Sequence, residues 1–575
     1  MKEILLIFKT HLDIGFTDYA ESVLQKYLEQ YIPNAIRAGY ELKDTETPFV
    51  WTVGSWLLWQ ALQNDKDKIV ENAIKDGILR WHALPFTTHT ELMNSTLFEY
   101  GVSLSKKLDE RFGVKTVGAK MSDVPGHTIG MIPILKKYGV NFLHIGVNPA
   151  TPLPPVPPVF KWKYRDDEIT VMYQGNYGEV AEFDDFIVYF AHTGDNLGPQ
   201  SAEDIIATYR EIQERYPNCK IKASTIEELA ERVSCMQGVP VIEKEIGDTW
   251  IHGVGTDPQK VSRYRKLLRN IEKIDKISFD LTDNLLCVPE HTWGMDVKTH
   301  FAFKQFYTHQ ELELFVNDER KKIEKSWKEQ RDYVSKAEKL LNVQSDYPIK
   351  RPDLSTYVKV ENIQEPNFEI SWQLFDVLDY ERYKKEYMRC HLNWAIWDFT
   401  KVGLEKYKGG IYTASVVDVY QNSTEVLYHY VFEKELAQEY GLPEFYLSIK
   451  DDKIELKWFN KKMSRLPQAF WFKIKGLEED WQLQKMGVWI SPEEIIGSPL
   501  ISAIDKGVKN PSVEIESWDC ALVAPFGRQL LQYNLKNCKQ DLYFNLYNNI
   551  WNTNFPMWYS DDALFRFFLK KHIEQ

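Results

Sequence analysis

The first apolar run of the chain, Ile4-Leu5-Leu6-Ile7-Phe8, is short and rich in branched side chains, which predicts a buried strand. A helix is predicted over 18–45, where Tyr19, Val23, Leu24, Tyr27, Leu28 and Tyr31 recur at spacings of three and four. Strands then alternate with helices. Strands are predicted at 49–53, 78–83, 116–121 and 142–146, and helices at 66–74, 94–112 and 128–137. Strands at 160–164, 169–174, 186–191 and 220–224 follow, with helices at 201–215 and 226–235. This order implies βαβ units and a mainly parallel sheet, wrapped as a barrel or doubly wound. From Pro258 the pattern turns long and helical through about residue 342, and Asn317–Leu341 carries many i,i+4 charge pairs. After Asp346 short alternating segments, such as 368–373, 446–450, 453–459 and 469–474, predict an antiparallel β-sandwich. Three domains are therefore expected: 1–257 α/β, 258–345 a helical bundle, and 346–575 a β-sandwich.

Composition narrows the partners. The net charge is −13 and the longest basic run is Arg320-Lys321-Lys322, so no nucleic acid is expected. Aromatic residues make up 14% of the chain, with 18 Trp and 31 Tyr, which suits both a large core and stacking against sugar rings. The six cysteines have no CxxC spacing and fit free thiols in a reducing compartment. The start, Met1-Lys2-Glu3-Ile4, runs into the first strand without a signal-peptide pattern, and no segment nears 18 uninterrupted apolar residues. A cytoplasmic protein without a membrane partner is the expectation; self-association of copies is left open.

Four stretches carry candidate chemistry. His11 and Asp13 end the first strand, and residues two apart in an extended chain share a side, so an imidazole and a carboxylate face the same way. Asp123, in Met121-Ser-Asp-Val-Pro-Gly-His127, ends another strand and lies at the same sheet end; a helix cap is its plainer reading. The loop Glu245-Ile-Gly-Asp248-Thr-Trp250-Ile-His252-Gly253 gathers carboxylates, a histidine and glycines, and Asp257 caps the helix that starts at Pro258. Pro289-Glu-His291-Thr-Trp293 offers the best second nitrogen ligand.

As a set these stretches resemble glycoside hydrolase family 38, the zinc-dependent α-mannosidases. The resemblance rests on His11-Leu-Asp13, on Asp123-Val-Pro-Gly-His127 with Pro133 and Gly139 beyond it, on Trp81-His82…Glu91…Asn94, and on the Glu245…Gly253 loop with Lys260 and Arg265 following. It covers roughly residues 1–345. The chain departs from the family at Glu290-His291-Thr, where a His-His-Asp context is usual, at Val124, where an aromatic is usual, and at Glu91, where Asp is commoner. The resemblance implies a seven-stranded-type (β/α) barrel and one Zn²⁺ per chain held by His11, Asp13, Asp123 and His291. It also implies retaining hydrolysis of α-mannosides or related α-glycosides. Asp123 is then the nucleophile, and Glu245 or Asp248 the acid/base, about 5–5.5 Å away. An α-mannoside presents O2 and O3 cis, so both hydroxyls reach one metal. Trp56, His82, Glu91, Trp250, His252 and Trp293 are the candidate substrate contacts. Two other classes fit the same residues: a metal-dependent carbohydrate deacetylase, in which Asp123 binds metal or activates water, and a non-catalytic carbohydrate-binding protein on the same fold.

Overall fold

The structure is a computed structural model that describes residues 2–274, 277–301, 305–361, 366–536 and 538–571. The chain forms two compact units. One comprises Met1–Thr90, Ser95–Lys244 and Pro289–Thr292; the other comprises Glu91–Asn94, Glu245–Val288 and Trp293–Gln575.

The first unit is α/β. Its strands are β1 (Glu3–His11), β2 (Trp51–Gly54), β3 (Leu79–His82), β4 (Gly118–Asp123), β5 (Phe142–Val147), β6 (Val159–Tyr164), β7 (Asp167–Gln174), β8 (Ala181–Glu182), β9 (Phe186–Asp195), β10 (Lys220–Ala223) and β11 (Val241–Ile242). One sheet has the order β3-β2-β1-β9-β8, with β10 beside the first half of β1; the other has the order β11-β6-β7-β5-β4. Pairing is parallel except for β6 with β7 and β8 with β9. The Ala83 amide donates to Gly118 O (2.9 Å), a bond between the end of β3 and the start of β4. Ile4–Phe8 are wholly buried, as expected of a strand covered on both faces. Leu5, Ile7, Phe142 and Val188 pack with Ile226, Leu229 and Val233 of the helix Ile226–Ser234.

The first helix departs from its prediction. It runs as Ala20–Lys26 and Ile32–Leu42 with a π turn over Tyr27–Tyr31 between them. The extra residue turns two phenols to one side: Tyr27 OH lies 3.3 Å from His11 O, and Tyr31 OH donates to Asn196 O (2.8 Å). Sequence periodicity cannot see one inserted residue in an otherwise helical run.

The second unit holds the helical stretch and the β region. The helix Pro258–Ile271 starts at Asp257, whose Oδ1 accepts from Lys260 N (3.0 Å), and Arg263 ties it to Glu338 of the helix Asp318–Leu341 (2.6 Å). A ten-stranded and a six-stranded sheet follow, antiparallel throughout their described pairings. Rings of the two meet: Phe472 stacks on Phe567 with centroids 5.0 Å apart, and Trp458 lies 5.4 Å from Phe470. Three helices, Val377–Tyr387, Asn393–Phe399 and Lys434–Tyr440, interrupt a region read as strands alone. Asp376 caps the first, and Tyr380, Tyr383 and Tyr387 bury one face at helical spacing. Among the described residues no helix is long and apolar enough to cross a membrane. All six cysteines are free.

Gly146 of β5 lets the turn carrying Tyr177 approach; a Cβ there would lie 2.4 Å from the Tyr177 carbonyl carbon. Gly146→Ala is expected to destabilise the protein by about 1–3 kcal/mol, the usual range for overpacking against a backbone that must shift. Denaturant unfolding measures it; an unchanged midpoint contradicts this packing.

Candidate metal centre

β1 delivers His11 with a change of register. Thr10 pairs with Thr193, but His11 pairs with Asp195, so a bulge lies at the strand end. A bulge re-aims the side chain that follows it. β4 delivers Asp123 at φ +79°, and Tyr177 and Asn196 also sit at positive φ, +57° and +53°. Left-handed backbone at a bulky residue such as Tyr costs about 1–3 kcal/mol, and such strain gathers where a site needs it. Asn196 fixes the chain after His11: its Oδ1 accepts from Asp13 N (3.0 Å), and its Nδ2 donates to Asp13 O (3.1 Å) and Gly15 O (3.0 Å).

His291 returns to the first unit on the four-residue stretch Pro289–Thr292. Thr88 bridges Glu290 as an antiparallel partner, and Thr88 Oγ1 and His89 N both donate to Pro289 O (2.8 Å each). His11 Nε2 then lies 3.1 Å from His291 Nε2 and 3.2 Å from Asp13 Oδ1, and His291 Nε2 lies 2.9 Å from Asp13 Oδ1. Asp123 Oδ2 is 3.6 Å from His291 Nε2. All four side chains are buried. Burial disfavours charge on His11 and His291, but Asp13 for the first and Glu290 for the second outweigh it, and both imidazoles are raised above their ordinary pKa. Burial would raise Asp13 too, yet His11 and His291 hold it well below the carboxylate range.

The donor chemistry fits a metal ion. His11 Nδ1 is 2.9 Å from Ser122 Oγ, and His291 Nδ1 is 2.6 Å from Glu290 Oε1. With each Nδ1 proton turned to that oxygen, both Nε2 lone pairs face the Asp13 carboxylate. Ligands at zinc distances of about 2.0–2.1 Å in a tetrahedron stand about 3.3 Å apart, close to the separations among His11, Asp13 and His291. Asp13 Oδ2 has no hydrogen-bond partner among the described residues.

Three groups that sequence reading passed over complete this end of the unit. Tyr177 stacks on His11 (centroids 4.8 Å, 13°), donates to Asp123 Oδ1 (2.8 Å) and lies 3.4 Å from Asp195 Oδ1. Asn148 Nδ2 also donates to Asp123 Oδ1 (3.0 Å). Asp195, the last residue of β9, is pushed up to about 6 by burial and by the Asp13 carboxylate. Its one sequence signal is its place at the end of a buried strand, in Thr193-Gly194-Asp195.

Of the other candidates, Trp56 and His82 belong to the first unit and the rest to the second. Trp56 is packed edge-on against Phe86 in the first unit, 5.3 Å between centroids, and His82 ends β3, where burial and the charge of Lys120 hold it down to about 3. In the second unit Glu245 and Glu91 both bind the buried Lys485 ammonium, at 2.5 and 2.6 Å. Asp248 accepts from Trp250 N (2.7 Å) and Tyr387 OH (2.9 Å), and burial pushes it up to about 7. Trp250 and His252 pack on Trp551, and Lys260 lies 3.6 Å over the Trp293 ring. These three rings are all buried in that unit's core.

Zn²⁺ is expected to raise the melting temperature of chelator-stripped protein, by about 2.7 kcal/mol of stabilisation at a hundredfold excess over Kd. His291→Ala or Asp13→Ala is expected to abolish the rise; a rise that survives both places the metal elsewhere. Lys485→Met leaves Glu91 and Glu245 facing each other and is expected to cost about 3–5 kcal/mol, read by chemical denaturation.

A family model described as a domain of unknown function, DUF5054, matches residues 254–352. No curated protein matches the chain. Among solved structures, an α-mannosidase from Enterococcus faecalis V583 superposes with a TM-score of 0.62 at 10% identity, over 100% of this chain and 87% of that one. A glycosyl hydrolase family 38 protein from Enterococcus faecalis superposes with a TM-score of 0.56 at 10% identity, over 99% of this chain and 86% of that one. Likeness at that identity speaks to architecture, and the chain has a fold similar to that of glycoside hydrolase family 38.

Proposed function

We propose that this chain is a zinc-dependent retaining glycoside hydrolase acting on α-mannosides or closely related α-glycosides. The convergence of His11, Asp13 and His291 on one buried point, with Asp123 Oδ2 3.6 Å from His291 Nε2, carries this reading, with the fold in support. In it the two sheets of the first unit form one barrel, joined by the Ala83–Gly118 bond, and the ring contacts of the second unit mark a sandwich. The free cysteines fit the reducing cytoplasm.

His11, Asp13, Asp123 and His291 would hold the metal, which when bound supplies positive charge for sugar hydroxyls. The chain's own groups do the rest. Tyr177 and Asn148 hold one oxygen of Asp123 by hydrogen bonds and aim the carboxylate. Asp123 attacks the anomeric carbon, the glycosidic C–O bond breaks, and a carboxylic acid gives its proton to the leaving oxygen. The same group, now a carboxylate, takes a proton from water; the water oxygen attacks the anomeric carbon and Asp123 leaves. Asp195 suits this acid/base role. One phenol oxygen contacts both Asp123 and Asp195, so these carboxylate oxygens lie at most about 6 Å apart, short of the roughly 6.5–9.5 Å of inverting pairs. A neutral acid is favoured there by burial. Glu245 suits the role less, because it is held in an ion pair with the buried Lys485 ammonium. Asp248, pushed up to about 7, is the second candidate.

Hydrolysis of 4-nitrophenyl α-mannoside should be lost on chelation, regained with Zn²⁺, and reduced at least about 1,000-fold in Asp123→Asn. A 2-fluoro mannosyl fluoride should label Asp123. Label on no residue, together with release of acetate from an N-acetylated sugar, would establish the deacetylase instead. Asp195→Asn is expected to lose about 10²–10⁴-fold on alkyl mannosides and far less on dinitrophenyl mannoside, which needs no proton. The same split in Asp248→Asn, and not in Asp195→Asn, reverses the assignment.

A further inference from the structure

The interior of the first unit holds a cavity of about 40 Å³ lined by Lys9, Thr52, His82, Thr87, Lys120 and Ser122, among apolar neighbours that include Ile7 and Leu57. That is room for a few atoms only. Each of these six polar residues is at most 8% exposed. Three of their polar atoms have no hydrogen-bond partner among the described residues: Lys9 Nζ, Thr52 Oγ1 and His82 Nδ1. Lys120 Nζ reaches His144 Nδ1 (2.6 Å) and donates to Tyr177 O (3.0 Å), both neutral groups. None of the residues lining the cavity is acidic.

A buried ammonium without a hydrogen-bond partner is costly, and two lysines at one small cavity are more so; the Asp195 carboxylate favours charge on Lys9, and burial opposes it. Lys9 Nζ donates, and Thr52 Oγ1 and His82 Nδ1 can each donate to the same acceptor. The lining offers a cation no carboxylate. Water would satisfy the same donors; an anion would in addition offset the cost of charge on Lys9 and Lys120.

We propose that this cavity binds a small monovalent anion of the halide class, held by Lys9, Thr52, His82 and Lys120. The size of the space excludes sugars and phosphate esters. Ser122 borders the cavity while its Oγ lies 2.9 Å from His11 Nδ1 and 3.4 Å from Thr87 Oγ1, so the anion shares a neighbour with the imidazole above. The site stands on its own atoms and does not depend on the glycosidase reading.

Two measurements test it on the full chain. Melting curves at constant ionic strength are compared in sodium chloride, sodium bromide and sodium gluconate, whose anion is too large for the cavity. The wild type is expected to show a saturable rise of several degrees in the halides over gluconate, and Lys9→Met to show none. If Lys9→Met does not fold, Thr52→Val replaces it and is expected to need a higher halide concentration for the same rise. Crystals grown in bromide are expected to give an anomalous difference peak between Lys9 Nζ and His82 Nδ1. No peak in the cavity, or a halide effect undiminished in the folded variant, overturns the proposal.

Discussion

Two neutral imidazole nitrogens cannot be packed 3.1 Å apart, lone pair to lone pair, without something positive between or beside them. Here the Asp13 carboxylate beside His11 and Glu290 beside His291 raise the two imidazoles against burial, and the histidines in turn hold Asp13 down. A divalent ion would take over the same task for His11, His291, Asp13 and Asp123 together. The surroundings are arranged to keep the lone pairs turned inward: Ser122 and Glu290 occupy the far nitrogens, and Asn196 clamps the backbone on either side of Asp13.

That constraint accounts for irregularities that would otherwise be defects. The bulge at Thr10/His11 and the positive φ of Asp123, Tyr177 and Asn196 each cost stability locally. The rigid parallel strands behind them supply it, with Ile4–Phe8 buried on both faces. The π turn belongs to the same group, because it carries two tyrosine hydroxyls to the His11 and Asn196 carbonyls. Regular structure ends where the chemistry begins.

The legibility of the chain follows from how local each signal is. The α/β order, the long charged helix and the antiparallel strands all show in short-range periodicity, and the structure has them. His11 with Asp13 shows as a spacing of two in a strand. Asp195 and Tyr177 left no such mark, since their value comes from a bulged register and a strained turn that meet only in three dimensions. Glu290 had a signal, a carboxylate directly beside a candidate ligand histidine, and it went unused. Glu245 shows the opposite limit: a carboxylate in a glycine-rich loop reads as catalytic, while the Lys485 that neutralises it lies 240 residues away in sequence. The tryptophans were ambiguous by composition, since stacking on sugar and packing in a core use the same rings; Trp56, Trp250 and Trp293 are packed against other side chains.

The central claim is that one metal ion sits among four named atoms. Crystals of protein purified without added metal, measured on both sides of the zinc absorption edge, test it most directly. The account predicts one anomalous peak per chain, in bonding distance of His11 Nε2, Asp13 Oδ1 and His291 Nε2 and beside Asp123 Oδ2. A peak elsewhere, or ordinary water density among those atoms in zinc-supplemented crystals, contradicts it.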